Sequence, residues 1–207
     1  MRMIPRIGLM LISVLIILTA CFAQNNAEKN SPSLNDMPPP QDEMQSLARA
    51  LVGKWSTTYK FEPSGKSSSG GTGTGEEVWR TGPGGYVLME EEHIRAPYGE
   101  RFLFALHWWD KSTNSLRGML CNNSGPAACN VDSYFNSSIK WDGKRLVIDL
   151  QFPQDGKKML WHEIWSDITD TSFTQTGEIG EVGSPLQLAV SIHGTKTSDS
   201  DRAGSSK

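Results

Sequence analysis

The chain has 207 residues and a formal net charge of −3, with 20 Lys and Arg against 23 Asp and Glu. That length suits one domain with extensions. The basic residues are scattered singly, which argues against a nucleic-acid partner.

Residues 1–20 read as an export signal. Arg2 and Arg6 give a positive start, and Ile7 to Ala20 is apolar apart from Gly8, Ser13 and Thr19. The run is short of the ~20 residues that cross a membrane. It ends Leu18-Thr19-Ala20-Cys21, which resembles the lipobox of bacterial lipoproteins. That resemblance implies cleavage before Cys21 and a lipid anchor on it, and a diacylated Cys supplies the two chains that stable anchoring takes. The competing cut follows Ala23 and releases a soluble protein. Either way the expected place is outside the cytoplasm, in the periplasm or outer envelope. Losing Arg2 and Arg6 takes the formal charge from −3 to −5. Residues 21–41, rich in Asn, Ser and Pro, are expected as a disordered tether, and residues 198–207 as a disordered tail.

The folded domain is expected over residues 42–197. Met44, Leu47 and Leu51 fall on one helical face, with Asp42 as a cap, Glu43 in the first turn and Gly53 ending the helix. The period then changes to two. Trp55, Thr57, Tyr59 and Phe61 share one side of a strand. Pro63 to Gly75, dense in Ser and Gly, reads as a long loop. Its Gly65-Lys66-Ser67 does not make a phosphate loop, because Lys60 stands where the first Gly belongs and no helix follows.

Further strand patterns follow at Glu76–Arg80, Tyr86–Arg95, Arg101–Asp110 and Ser115–Cys121. The strand Arg101–Asp110 is apolar on both faces, so it needs burial on both sides, and the helix before Leu51 is its candidate cover. Another pattern lies near Val131–Phe135. Asp142-Gly143 joins Ile139–Trp141 to Lys144–Phe152 as a hairpin. Lys158–Asp167, Ser172–Ile179 and Leu186–Thr195 complete the series, about ten strands in all. Even strands joined by tight turns mean an all-β fold: an antiparallel barrel or strongly curled sheet with one short N-terminal helix.

Cys121 and Cys129 flank a turn-rich segment, and a disulfide is expected in an oxidising compartment. Free buried thiols are the alternative. A zinc site would need more ligands than two Cys without a nearby His.

Three stretches carry a family resemblance: Leu51-Val52-Gly53-Lys54-Trp55, Leu106-His107-Trp108-Trp109-Asp110 and Trp141-Asp142-Gly143-Lys144-Arg145-Leu146. With them, the segment from about Met44 to Lys196 resembles an uncharacterised bacterial domain-of-unknown-function family with a lipocalin-like (calycin) barrel. The resemblance implies a fold and no activity. In such barrels a Gly-x-Trp, here Gly53 and Trp55, opens the first strand, and the Trp plugs the closed end. True lipocalins lay an Arg from a late strand over that Trp, whereas Leu186–Thr195 holds none.

Catalytic machinery is not legible. His107, His162 and His193 lie in strand patterns; each is a candidate axial haem ligand, with surface or core histidines as the plain reading. His162-Glu163 begins like a zinc helix motif, but Ser166 replaces the second His. Glu76-Glu77 and Glu90-Glu91-Glu92 read as solvated strand ends, with a weak calcium site as the alternative. No enzyme, cofactor or metal site is expected.

The aromatics are the most pointed feature. Packing of a small barrel accounts for them. The sharper reading is an apolar pocket of Tyr59, Trp79, Phe104, Trp108 and Trp161, with Tyr59 or Glu163 as its polar handle. The expected function is an envelope-tethered barrel binding a small apolar or amphipathic ligand. A structural or protein-interaction barrel with a filled core is the alternative, and a histidine-dependent enzyme or haem barrel comes last.

Overall fold

The computed structural model describes residues 41–63, 70–123, 129 and 138–197. The signal, Cys21, the tether, the middle of the first loop, the pattern near Val131–Phe135 and the tail lie outside the described residues. The chain divides into two units, Met1–Pro39 and Pro40–Lys207, and the described residues belong to the second.

One helix, α1 (Asp42–Leu51), precedes ten strands: β1 (Gly53–Phe61), β2 (Gly71–Thr81), β3 (Val87–Ala96), β4 (Gly99–Asp110), β5 (Ser115–Asn122), β6 (Ser138–Trp141), β7 (Leu146–Gln154), β8 (Lys157–Ser166), β9 (Ser172–Glu181) and β10 (Gln187–Lys196). Each strand pairs antiparallel with the next, and β10 returns to β1, so the sheet closes as a barrel. Closure leaves no exposed edge. The thinnest seam is β5 to β6, where Leu116 and Ile139 form the one described pair.

The helix forms because its apolar spacing buries Met44, Leu47 and Leu51 together, with Asp42 and Glu43 in the first turn and Arg49 in the last. Asp42 is the first helical residue and not a cap; Gln41 holds that position without a side-chain bond. The helix stops at Leu51, and Gly53 begins β1 at φ 146°, where a Cβ would stand 2.4 Å from Cε of Lys196. The apolar face of α1 joins the barrel core beside Trp55, Trp79 and Trp165. Two indoles fasten it: Trp55 Nε1 donates to the Leu51 carbonyl at 2.8 Å, and Trp141 Nε1 donates to Ser46 Oγ at 3.0 Å. The helix thus plugs one end of the barrel rather than covering β4, whose outer residue Phe102 is 49 % exposed.

The Gly-rich loop is shorter than its sequence implies. Gly71-Thr72-Gly73-Thr74-Gly75 is the first half of β2, with its threonines exposed and Gly75 buried. The cause is crowding from β1. A Cβ on Gly75 would meet Thr57 Oγ1 at 2.7 Å and Tyr59 Cε2 at 3.0 Å, and one on Gly73 would meet Phe61 Cε2 at 3.1 Å. At the β6–β7 turn, Gly143 takes φ 90°. Asp142 Oδ1 accepts from the amides of Lys144 and Arg145 at 2.9 and 2.7 Å. Cys121 and Cys129 are disulfide-bonded.

Candidate functional site

Alternation sends one side chain in two into the barrel. Near α1 these residues are packed without gaps: Trp55, Trp79, Leu88, His107, Leu146 and Trp165 are at most 2 % exposed. On β4, β7 and β8 burial then falls away from the helix, whereas on β3 Ile94 near the far end is still buried. On β4, His107 and Ala105 are buried and Leu103 is half-buried. On β7, Leu146 and Ile148 are buried, and Leu150 and Phe152 are half-buried. On β8, Trp165 is buried, and Glu163, Trp161 and Met159 are half-buried. Among the described residues, the interior is filled at the helix end and its inward side chains are less buried toward the β3–β4 and β7–β8 turns, which makes that end a cup.

The floor of that cup is acidic. Glu77 faces Glu92 across β2 and β3, and Trp79 faces Glu90 one pair along. Glu163 reaches them from β8, on a different arc of the wall, and acts electrostatically on Glu77, Glu90 and Glu92. Tyr59 donates its hydroxyl to Glu92 Oε1 and accepts from Thr57 Oγ1 at 3.0 Å. Trp79 Nε1 donates to Glu77 Oε1. Glu163 ties two indoles: Trp161 Nε1 to Oε2 at 2.8 Å and Trp165 Nε1 to Oε1 at 2.6 Å.

Inside the barrel, Glu77 and His107 carry buried polar atoms without a hydrogen bond. Glu77 Oε2 has no hydrogen bond, and neither ring nitrogen of His107 has one. His107 Nε2 stands 3.6 Å from Glu90 Oε2, and its ring stacks on Trp79 at 5.4 Å between centroids.

Burial governs how these groups ionise. It pushes Glu92 up to about 7, against the lowering pull of the Tyr59 hydroxyl. It holds Glu77 and Glu90 well above the usual carboxylate range, and neighbouring carboxylates add to the effect. Burial likewise raises the Tyr59 hydroxyl, with the charge of Glu92 second. It drives His107 down to about 4, so the imidazole is neutral near pH 7.

The residues singled out in the sequence divide between the two faces. Tyr59, Trp79, Trp161 and Glu163 come together inside. Phe104 and Trp108 project from the opposite face of β4, out of phase with buried Ala105 and His107, and take no part in the floor. Glu90 and Glu92 are interior residues, not a solvated strand end; only Glu91 points out, where it pairs with Arg80. Their phase was readable: Glu77 alternates with Trp79, and Glu90 and Glu92 alternate with Leu88 and Ile94.

The histidines do not share a site. His107 is inside, while His162 lies on the other face of β8 from Glu163, with Nδ1 2.6 Å from Asp149 Oδ1. His193 is exposed on β10. The His107 ring is fully buried, with Nε2 directed at Glu90. Among the described residues, no three His, Cys, Asp or Glu side chains are placed to hold one metal ion. A broad open groove of about 820 Å³ lies outside the barrel over Thr58, Lys60, Thr74, Arg95 and His193. Its lining is mostly polar, and Glu77, Glu90, Glu92 and His107, whose ionisation burial shifts, are not part of it.

No family model matches the chain, and no curated protein matches it. Solved structures do. Rv2717c from M. tuberculosis aligns with a TM-score of 0.54 at 14% identity, over 77% of this chain and 99% of that one. The S-type phycobiliprotein lyase CPES from Guillardia theta covers the same shares, 77% and 99%, at 11% identity and a TM-score of 0.42. At 14% identity the likeness to Rv2717c is one of fold.

Proposed function

We propose that this chain is a binding barrel for a small amphipathic molecule, which enters the open end, lays its apolar part against the upper wall and sets its polar end on the glutamate floor. The observation that carries this reading is the loss of burial along β4, β7 and β8, which leaves Leu103, Leu150, Phe152 and Trp161 as an accessible apolar wall above Glu92 and Glu163. Concave, mostly apolar sites with a few convergent polar groups are where small ligands bind. The reading favours binding, because neither ring nitrogen of His107 makes a hydrogen bond and His93, His162 and His193 lie on the outward phase of their strands.

The proposal also places the barrel outside the cytoplasm, on a lipid at Cys21. The bonded Cys121–Cys129 pair supports the oxidising compartment, since such bridges persist there and are rare in the cytosol. Native mass spectrometry of the purified chain, set against its denatured mass, tests the binding reading. A discrete extra mass lost on denaturation supports it. A bare mass that stays bare after incubation with amphiphiles favours the filled interaction barrel.

A further inference from the structure

We propose that the floor of the cup is a receptor for an organic cation: a primary ammonium or amidinium head carrying an apolar tail. The proposal rests on the cup reading above and names the chemistry of its ligand.

Three observations point this way. Four carboxyl groups, Glu77, Glu90, Glu92 and Glu163, share one enclosed floor. The described cation acting on them is Arg101 on β4, which acts on Glu92. An anionic head would therefore find one described counter-charge there, whereas a cation would draw the carboxyls into their charged form. Second, the floor holds a buried polar atom that the chain leaves unsatisfied. Glu77 is 1 % exposed, yet its Oε2 has no donor. Buried acceptors without donors are costly. An ammonium supplies three N–H donors together with the compensating charge. Third, indole rings line the same floor. Glu163 and Glu77 hold the indoles of Trp161, Trp165 and Trp79 by their N–H groups. That arrangement keeps ring surface beside the carboxylates, and aromatic faces attract cations.

Proton balance follows. At neutral pH the empty floor retains protons on its buried carboxyls. As the cation seats, one carboxyl O–H breaks, its electron pair stays on oxygen, and the proton passes to buffer. The ammonium keeps its N–H bonds, so the site exchanges a proton for an organic cation. Glu92 is the group to watch. It meets Tyr59 from β1, Glu77 from β2, Glu90 on its own strand, Arg101 from β4 and Glu163 from β8. Its proton is held to about pH 7, so affinity for a permanently charged head rises with pH up to that value and then levels.

The test is calorimetric titration of the full chain with octylammonium, octanol and octanoate, which share one tail. The expected result is octylammonium bound about tenfold or more tightly than octanol, as a charge-assisted contact gives. Its apparent heat should differ between buffers of unlike ionisation enthalpy, because a proton is released. In Glu92→Gln the ammonium is expected to lose about tenfold while octanol stays within about twofold, so octanol controls for folding. The proton-release measurement on the unaltered chain needs no variant at all. If octanol or octanoate binds as tightly as octylammonium, the cation assignment is overturned and the cup stands. If none of the three binds, both readings fail.

Discussion

The Lys196 ammonium lies 5.0 Å from the centre of the Trp55 ring, at the plugged end of the barrel. The two residues are register partners across β10 and β1. Trp55 also packs edge-on against Phe173 at 5.1 Å and donates to the Leu51 carbonyl. One side chain thus holds together the helix, the first strand and the last two. Trp55→Ala is expected to lower unfolding stability by about 3–5 kcal/mol, as for other large-to-small core changes. Lys196→Met should cost only about 0.5–1 kcal/mol, the worth of a partly exposed cation–π contact. Urea unfolding of both variants checks this; equal losses would show that the plug is not organised around Trp55.

The inner glycines make a second prediction. A Cβ at Gly177 would sit 2.3 Å from Cζ2 of Trp161. The ring cannot retreat freely, because its N–H is fixed on Glu163. Gly177→Ala is expected to destabilise the barrel by about 1–3 kcal/mol through overpacking. It should also shift the tryptophan emission as Trp161 leaves its place. Gly183→Ala is the control for space, since nothing stands within 4 Å of a Cβ there, although its φ of +87° adds local strain. An unshifted spectrum in Gly177→Ala would show that Trp161 is not wedged on that glycine.

These contacts explain what was legible beforehand. The barrel and the helix could be read because alternation and a change of period are local signals, while the place of Trp55 was implied by the resemblance to lipocalin-like barrels. No Arg lies in Leu186–Thr195, and the cation over Trp55 is Lys196, one residue later. The strand character of Gly71–Gly75 was hidden because composition reads as loop. The reason those positions must be small lies outside the segment, in Thr57, Tyr59 and Phe61 on β1, the carbonyls of His93 and Arg95 on β3, and Pro97. The floor was hidden for a similar reason. A run of three glutamates looks solvated until the phase of Leu88 and Ile94 is applied to it, and their convergence with Glu163 exists only after closure. Phe104 and Trp108 entered the pocket because a strand apolar on both faces does not say which face is inside.

The lipid anchor has its own test. If Cys21 carries the lipid, the full chain fractionates with membranes and Cys21→Ser moves it to the soluble fraction. The intact mass then exceeds that of the chain cut before Cys21 by a diacyl group. A soluble unaltered chain that begins at Gln24 would instead mean cleavage after Ala23.

The pH dependence of stability follows from two opposed shifts. Glu92 is raised from 4.5 to about 7, so between those values the folded chain binds more protons than the unfolded chain, and stability falls as pH rises. Glu77 and Glu90, raised in the same direction, add to that fall. His107 is lowered from 6.5 to about 4, so across that window the folded chain binds fewer protons, and stability rises with pH. The two effects oppose one another from 4.5 to 6.5, and above 6.5 the carboxyl effect acts without the histidine. His107→Leu should therefore steepen the loss of stability between pH 4.5 and 6.5, and Glu92→Gln should flatten it up to about pH 7. Thermal unfolding of both variants across pH 4 to 8 measures each slope. Parallel curves for His107→Leu and the unaltered chain would mean that folding leaves the proton binding of His107 unchanged, and that burial does not hold its imidazole neutral.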